Sequence, residues 1–230
     1  MLYPTASQFL NIGFVILTGV VASLLIWIHG RVSYARTAVI GVVLAAVVSF
    51  SLAATGVLQK MDSFPPPLLP MVLAIVIGTI WLASTKVGRK VAQDTPMWLL
   101  IGLQAFRLPL ELLMHRAASE GVMPVQMSYS GYNFDIVTGA TALVLSLALL
   151  KLQLPRAIVW LWNIMGFALL VTVVSIAIAS FPLFAAFGTS ADKLNTWVTY
   201  VPFVWLPAIL VPIALWGHIV IARRLISHLD

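Results

Sequence analysis

The sequence predicts an all-α integral membrane protein, a seven-transmembrane-helix bundle with its N-terminus outside and its C-terminus inside. Three observations predict this. Apolar residues make up 61% of the chain and charged residues only 9%, whereas a soluble domain carries roughly a quarter charged. Seven stretches approach the ~20 apolar residues that a bilayer requires: about 8–29, 36–57, 69–86, 96–116, 134–150, 156–181 and 197–220. Basic residues gather on alternate connections. Little chain remains outside these stretches, so residues 1–230 read as a single transmembrane helical domain without a soluble unit.

The first stretch follows Met1-Leu-Tyr-Pro-Thr-Ala-Ser7, which lacks the positive region of a cleaved signal peptide. Helix 1 is therefore expected to be retained. Gln8 and Asn11 share one of its faces. Arg31 and Arg36 follow helix 1, Lys86, Arg89 and Lys90 follow helix 3, Lys151 and Arg156 follow helix 5, and Arg223 and Arg224 follow helix 7. The opposite side holds Lys60, Arg116 and Lys193. The positive-inside rule then sets the orientation and accounts for the net charge of +6 without nucleic acid. Trp27, Trp81, Trp98, Trp160, Trp162 and Trp216 fall near the inner helix ends, as an interfacial aromatic belt requires. The protein is expected in a cell membrane, plasma or inner.

Helix 4 carries the most informative pattern. Gln104, Arg107, Glu111 and His115 recur at i, i+3, i+7 and i+11. At about 100° per residue they share a wedge of roughly 80°. Charge within hydrocarbon costs several kcal/mol, so this stripe is expected to face other helices or water. Arg107 and Glu111, four apart, can meet as a pair. Pro109 interrupts the same helix and frees the carbonyl of Ala105.

The connection from Ala117 to Asn133 is long and too apolar for a solvated loop, so it is expected to fold back over the bundle. Helix 5 opens on Asn133 and Asp135, and an aspartate there fits a helix N-cap. Helix 7 opens on Thr196, Trp197, Thr199 and Tyr200 and carries Pro202, Pro207 and Pro212. By depth, the polar groups of helices 1, 4, 5 and 7 converge on an outward-facing cavity. The expected ligand-binding residues are Gln104, Arg107, Glu111, His115, Asn133, Asp135, Asn11 and Tyr200.

The leading expectation is binding and translocation of a small polar or anionic solute, with Glu111 as the group through which protons could be coupled. The alternatives are an intramembrane enzyme using Glu111, His115 and Asp135, or a non-catalytic subunit of a larger membrane complex. No cofactor is expected. A metal on Glu111, His115 and Asp135 remains a weak candidate, because Glu-x-x-x-His is a ligating spacing. A haem between His29 and His218 is weaker still, since both are read as interfacial. Partners are the lipid bilayer, a small-molecule solute, and either a second copy of the chain or another membrane subunit. Absence of cysteine removes thiolate catalysis, disulfides and cysteine-ligated metals. No lysine lies in segment 197–220, so a retinal Schiff base is excluded.

Overall fold

The computed structural model describes residues 5–227, and within them the chain is all-helical. Nine α-helices run in order: α1 Gln8–Gly30, α2 Ala35–Ala54, α3 Leu68–Ser84, α4 Lys86–Asp94, α5 Met97–Leu103, α6 Arg107–Ser119, α7 Ile136–Lys151, α8 Arg156–Ala179 and α9 Val211–Ile226. Five helical segments are long and apolar enough to cross a membrane: Gln8–Gly30, Ala35–Ala54, Met97–Ser119, Arg156–Ala179 and Leu206–Ile226. A sixth is α3 with α4, if that pair, bent by 60°, counts as one span. Helix α7 is apolar but only 16 residues long. This is a membrane protein.

The outer faces say the same. Val39, Ile40, Val43, Leu44, Val47 and Val48 are all exposed along α2. A continuous apolar face of that kind is a liability in water and the expected surface in lipid. The centre of the bundle is α9, whose span is 67% buried, against 17% for α2. Helices α3, α4, α5 and α8 all pack on it.

Three departures from the expected elements have local causes. The long helix at 96–116 is split. Residues Gln104–Phe106 form a 3-10 turn between α5 and α6, directly ahead of Pro109, which cannot donate to Ala105. The last stretch does not run as one helix from 197. Trp197–Thr199 is an isolated 3-10 turn, Leu206–Leu210 is a π-turn, and α9 starts at Val211. Pro202, Pro207 and Pro212 each remove a backbone donor, so regular helix begins only where the last proline sits in the first turn. Asp135 precedes α7 as expected, but its side chain makes no capping bond.

The loop after α6 is ordered and packed. Val122, Met123 and Met127 are buried. Gln126 donates from Nε2 to Ser180 Oγ (3.1 Å) and to the Lys193 carbonyl (2.8 Å), tying the loop to the segment after α8. At the same end Glu120 clamps the start of α1. Its carboxylate accepts from Ser7 N (2.9 Å), Ser7 Oγ (2.7 Å) and Arg116 Nε (2.5 Å). Ser7 Oγ in turn caps α1 by accepting from Leu10 N at 3.2 Å.

Two predictions follow from this packing. At Gly139 a Cβ would fall on the backbone of Arg107 and Leu108, so α7 lies directly against α6 there. Gly139→Val is expected to destabilise by at least the ~1–3 kcal/mol typical of overpacking, read as a lowered melting temperature in detergent. Gly19→Ala, at a position with open space, is the neutral control. The second concerns pH. The backbone N–H of Ser7 and the Arg116 guanidinium hold the Glu120 carboxyl down to about 2. Because the folded value lies below the unfolded one, its contribution is complete above the ordinary carboxylate value and fades as pH falls towards 2. The melting-temperature advantage of the native chain over Glu120→Gln should therefore be flat above about pH 4.5 and vanish near pH 2.

Candidate functional site: a buried charge cluster at the base of an apolar cleft

Arg107 opens α6 and is 1% exposed. The 3-10 turn before it and the close contact with α7 set its depth. Its guanidinium grips Asp135 with both arms: Nε donates to Oδ2 at 2.5 Å and Nη2 to Oδ1. Nη2 also donates to the Gly166 carbonyl on α8 (3.2 Å), and Nη1 to His218 Nε2 on α9 (2.7 Å). Four of its five N–H groups therefore have acceptors. The expected partner, Glu111, is not among them. Asp135 wins because it approaches from another element and can meet the guanidinium face-on in the two-armed geometry that suits a carboxylate.

The same bond fixes the state of His218. A guanidinium cannot accept, so Nε2 must be the bare nitrogen and Nδ1 carries the proton. Nδ1 then donates to Asn163 Oδ1 at 2.9 Å. Asn163 Nδ2 returns a bond to the His218 carbonyl at 3.2 Å. His218 is neutral in this arrangement, with both ring nitrogens engaged. It is buried among the helices and not turned outward to lipid headgroups, as its position near the end of segment 197–220 suggested. The helix runs on to Ile226, which places His218 in the interior.

Glu111, one turn beyond Arg107, is also 1% exposed. Its hydrogen-bond donor is Asn133, whose Nδ2 lies 3.0 Å from Oε1 and 2.8 Å from Oε2. Asn133 also donates to the Met127 carbonyl (3.0 Å), and its Oδ1 accepts from Asp135 N (3.0 Å). An amide nitrogen has two hydrogens, so one goes to Met127 and the other is shared across the carboxylate. Glu111 is left with unused lone pairs.

A cavity of about 600 Å³ opens onto these groups. Its walls come from α3 (Leu69, Val72), α8 (Leu170, Val174) and the α9 segment (Leu210, Ala214). Helices α3 and α8 each pack on α9, and the cleft lies between them. Arg107, Glu111 and Asp135 are the ionisable groups that line it among the described residues. Leu73, Ile80, Val171 and Ile178 line it and are also exposed on the outer surface. The cleft therefore communicates with the lipid side of the bundle.

The cluster gathers Arg107, Glu111, Asn133 and Asp135 from the expected set. Gln104 is fully buried nearby and donates to the Ala214 carbonyl at 3.4 Å. His115 turns instead to the loop, with Nδ1 3.1 Å from Ser130 Oγ and its ring stacked on Tyr129 at 4.3 Å. The expectation that it points into the bundle with Arg107 and Glu111 is corrected, because Ser130 and Tyr129 offer it a bond and a stacking face nearer by. Asn11 donates to the Ala6 carbonyl at 3.3 Å in its own helix start. Tyr200 follows the 3-10 turn at Trp197–Thr199. Among the described residues no three His, Cys, Asp or Glu side chains gather as a metal site. His29 bonds the Leu25 carbonyl at 2.9 Å and packs on Trp216, while His218 has no free nitrogen for an iron.

His218, Asn163 and Gly166 complete the cluster and were not expected in it. The legible signal was on α8, where a deeply placed Asn163 is followed three residues on by Gly166. A Cβ at Gly166 would strike the His218 ring, so a polar residue and a glycine on one face marked where a partner side chain enters.

A family model described as "Domain of unknown function (DUF8737)" matches residues 63–226. The chain belongs to this family. No curated protein and no solved structure matches it. The matched region starts after α2 and contains every residue of the cluster and both walls of the cleft.

The pairing predicts a mutational pattern. Arg107→Met removes the partner of the buried Asp135 carboxylate and Asp135→Leu that of the buried guanidinium, and each should cost about 3–5 kcal/mol. The double variant should recover much of that loss. Melting temperatures in one detergent check it, and additive losses in the double variant would contradict the coupling.

Proposed function

We propose that the chain crosses a cell membrane, plasma or inner, seven times with its N-terminus outside and its C-terminus inside. We further propose that the cleft between α3 and α8 binds a membrane-soluble molecule with a small hydrogen-bond-donating head. The bias of nine basic residues to three supports the orientation. Counting the bent α3–α4 pair and the short α7 as spans beside the five long segments would give seven. The observation that carries the binding reading is the cleft itself: apolar walls over about 600 Å³ that end on Arg107, Glu111 and Asp135. Ligand pockets commonly combine such walls with a few convergent polar groups.

The division of labour at the base sets the ligand chemistry. Arg107 is engaged by Asp135, His218 and Gly166, so it has little to offer an anion. Glu111 keeps lone pairs free and lines the cavity. Two carboxylates against one guanidinium leave one negative charge to neutralise, which a proton or a cationic head such as an amine would supply. The apolar walls favour an amphipathic molecule over the small polar solute that the sequence suggested. Exchange of a proton for the ligand head at Glu111 would couple movement of the ligand to protons.

Two measurements test this. In reconstituted vesicles, a fluorescent long-chain amine should bind the native protein, and Glu111→Gln should weaken binding at least about tenfold, the loss expected when a hydrogen bond to a charged group is removed. The melting temperature should change little, since glutamine keeps the shape and the bond to Asn133. Undiminished binding by the variant, or tighter binding of the matching fatty acid than of the amine, would sink the reading. Orientation is checked by cysteine labelling in this cysteine-free chain. Ser63→Cys should react with an impermeant maleimide from outside, and Ser84→Cys only from inside.

A further inference from the structure

A second cavity, of about 460 Å³, lies at the opposite end of α9 from its prolines. Arg89, Ala92, Gln93, Arg223, Ile226 and Ser227 line it. It exists because α3 does not run straight on into α4. Thr85 takes an extended backbone and caps α4, its Oγ accepting from Val87 N at 3.2 Å, and the chain turns through 60°. Helix α4 buries Val91 and Ala92 and leaves Lys86, Arg89 and Lys90 exposed. A short helix with one apolar and one basic face at the end of a membrane span belongs in the headgroup layer.

The end of α9 holds this corner together. Arg223 Nη1 donates to the carbonyls of Ala83 and Thr85. Arg224 Nη1 donates to those of Ala92 (2.8 Å), Gln93 (3.0 Å) and Thr95 (2.6 Å). Arg224 thereby satisfies carbonyls that the end of α4 leaves open. Arg223 Nε and Nη2 meet no acceptor among the described residues, and neither does the Arg89 guanidinium. The two guanidinium charges are near enough to repel each other. Among the described residues no carboxylate lines the cavity. Asp94, on the same helix as Arg89, is held by Lys90 at 2.5 Å.

Arginine keeps its charge under all ordinary conditions, so an anion entering the cavity would be attracted by both guanidiniums. Their free N–H groups form forks that match the oxygens of a phosphoryl group. From this we infer that the cavity between Arg89 and Arg223 binds a phosphoryl group, carried by an anionic phospholipid headgroup or by free phosphate. The site is independent of the cleft between α3 and α8.

Arg89→Gln is the test variant, because Arg89 is exposed and supports no other part of the fold. Lys90→Gln removes the same charge next door and is the control. Binding is measured on the whole purified chain in neutral-detergent micelles containing phosphatidylglycerol or phosphatidylcholine, and separately with sodium phosphate against sodium chloride at matched ionic strength. Phosphatidylglycerol is expected to bind more tightly than phosphatidylcholine, and Arg89→Gln to weaken it about tenfold. Lys90→Gln should have a much smaller effect. If sodium phosphate binds with the same dependence on Arg89 and competes with the lipid, the occupant is free phosphate. If it does not compete, the occupant is the headgroup. The inference is overturned if both variants weaken binding equally, if Arg89→Gln binds like the native chain, or if neither probe is preferred over its control.

Discussion

Arg107 has to be neutralised away from water, and the arrangement of the bundle follows from that. Removing an ion pair from water costs several kcal/mol per ion, which only good geometry and further hydrogen bonds offset. The chain meets this requirement by bringing four elements to one guanidinium. Asp135 comes from the start of α7, the Gly166 carbonyl from α8, and His218 from α9, while α6 supplies Arg107 itself. In lipid, apolar faces give no reason for helices to associate, so packing and polar contacts between helices decide which ones meet. The cluster is such a contact for α6, α7, α8 and α9. Gly139 and Gly166 are the positions where these helices come close enough for it to form.

Much of this was legible in the sequence and some was not, for identifiable reasons. Five of the expected spans, or six with the bent α3–α4 pair, were legible because apolar runs of a set length have few alternative readings, and α1, α2 and α8 start within a residue of the expected segments. The stripe on helix 4 was legible because charge is rare in hydrocarbon, and Arg107, Glu111, Asn133 and Asp135 do come together. Partner choice was not legible. Arg107 and Glu111 lie on adjacent turns, and local spacing favoured their pairing, whereas the actual partner lies 28 residues on. His218 was misplaced because the three prolines shift the helix toward its C-terminal end, and a histidine read as interfacial moved inside with it. His115 was assigned by its angle on the helix alone. An angle does not show that Ser130 and Tyr129 wait on a folded loop.

The cleft and the cluster depend on one another. A charge cluster enclosed on all sides would have no ligand to meet, and an apolar groove without a polar end would hold lipid without preference. Here α3 and α8 both rest on α9, and Glu111 is among the residues that line the gap between them. The satisfied half of the cluster, Arg107 with Asp135 and His218, acts as a rigid back wall. The unsatisfied half is Glu111.

Asn133 joins that unsatisfied half to the loop. Its amide nitrogen is shared between Glu111 and the Met127 carbonyl, and its oxygen holds the backbone of Asp135. A proton or a cationic head arriving at Glu111 would weaken the carboxylate as an acceptor for the hydrogen that Asn133 gives it. Asn133 would then be held by Met127 and the backbone of Asp135 alone, in the turn between them. That turn continues into the packed loop through Gln126, which bonds Ser180 and Lys193 in the segment after α8. A local event at one carboxylate thus acts on a contiguous set of hydrogen bonds running from α6 to the segment after α8, and the loop is the part of the structure in which occupancy of the cleft would first be felt.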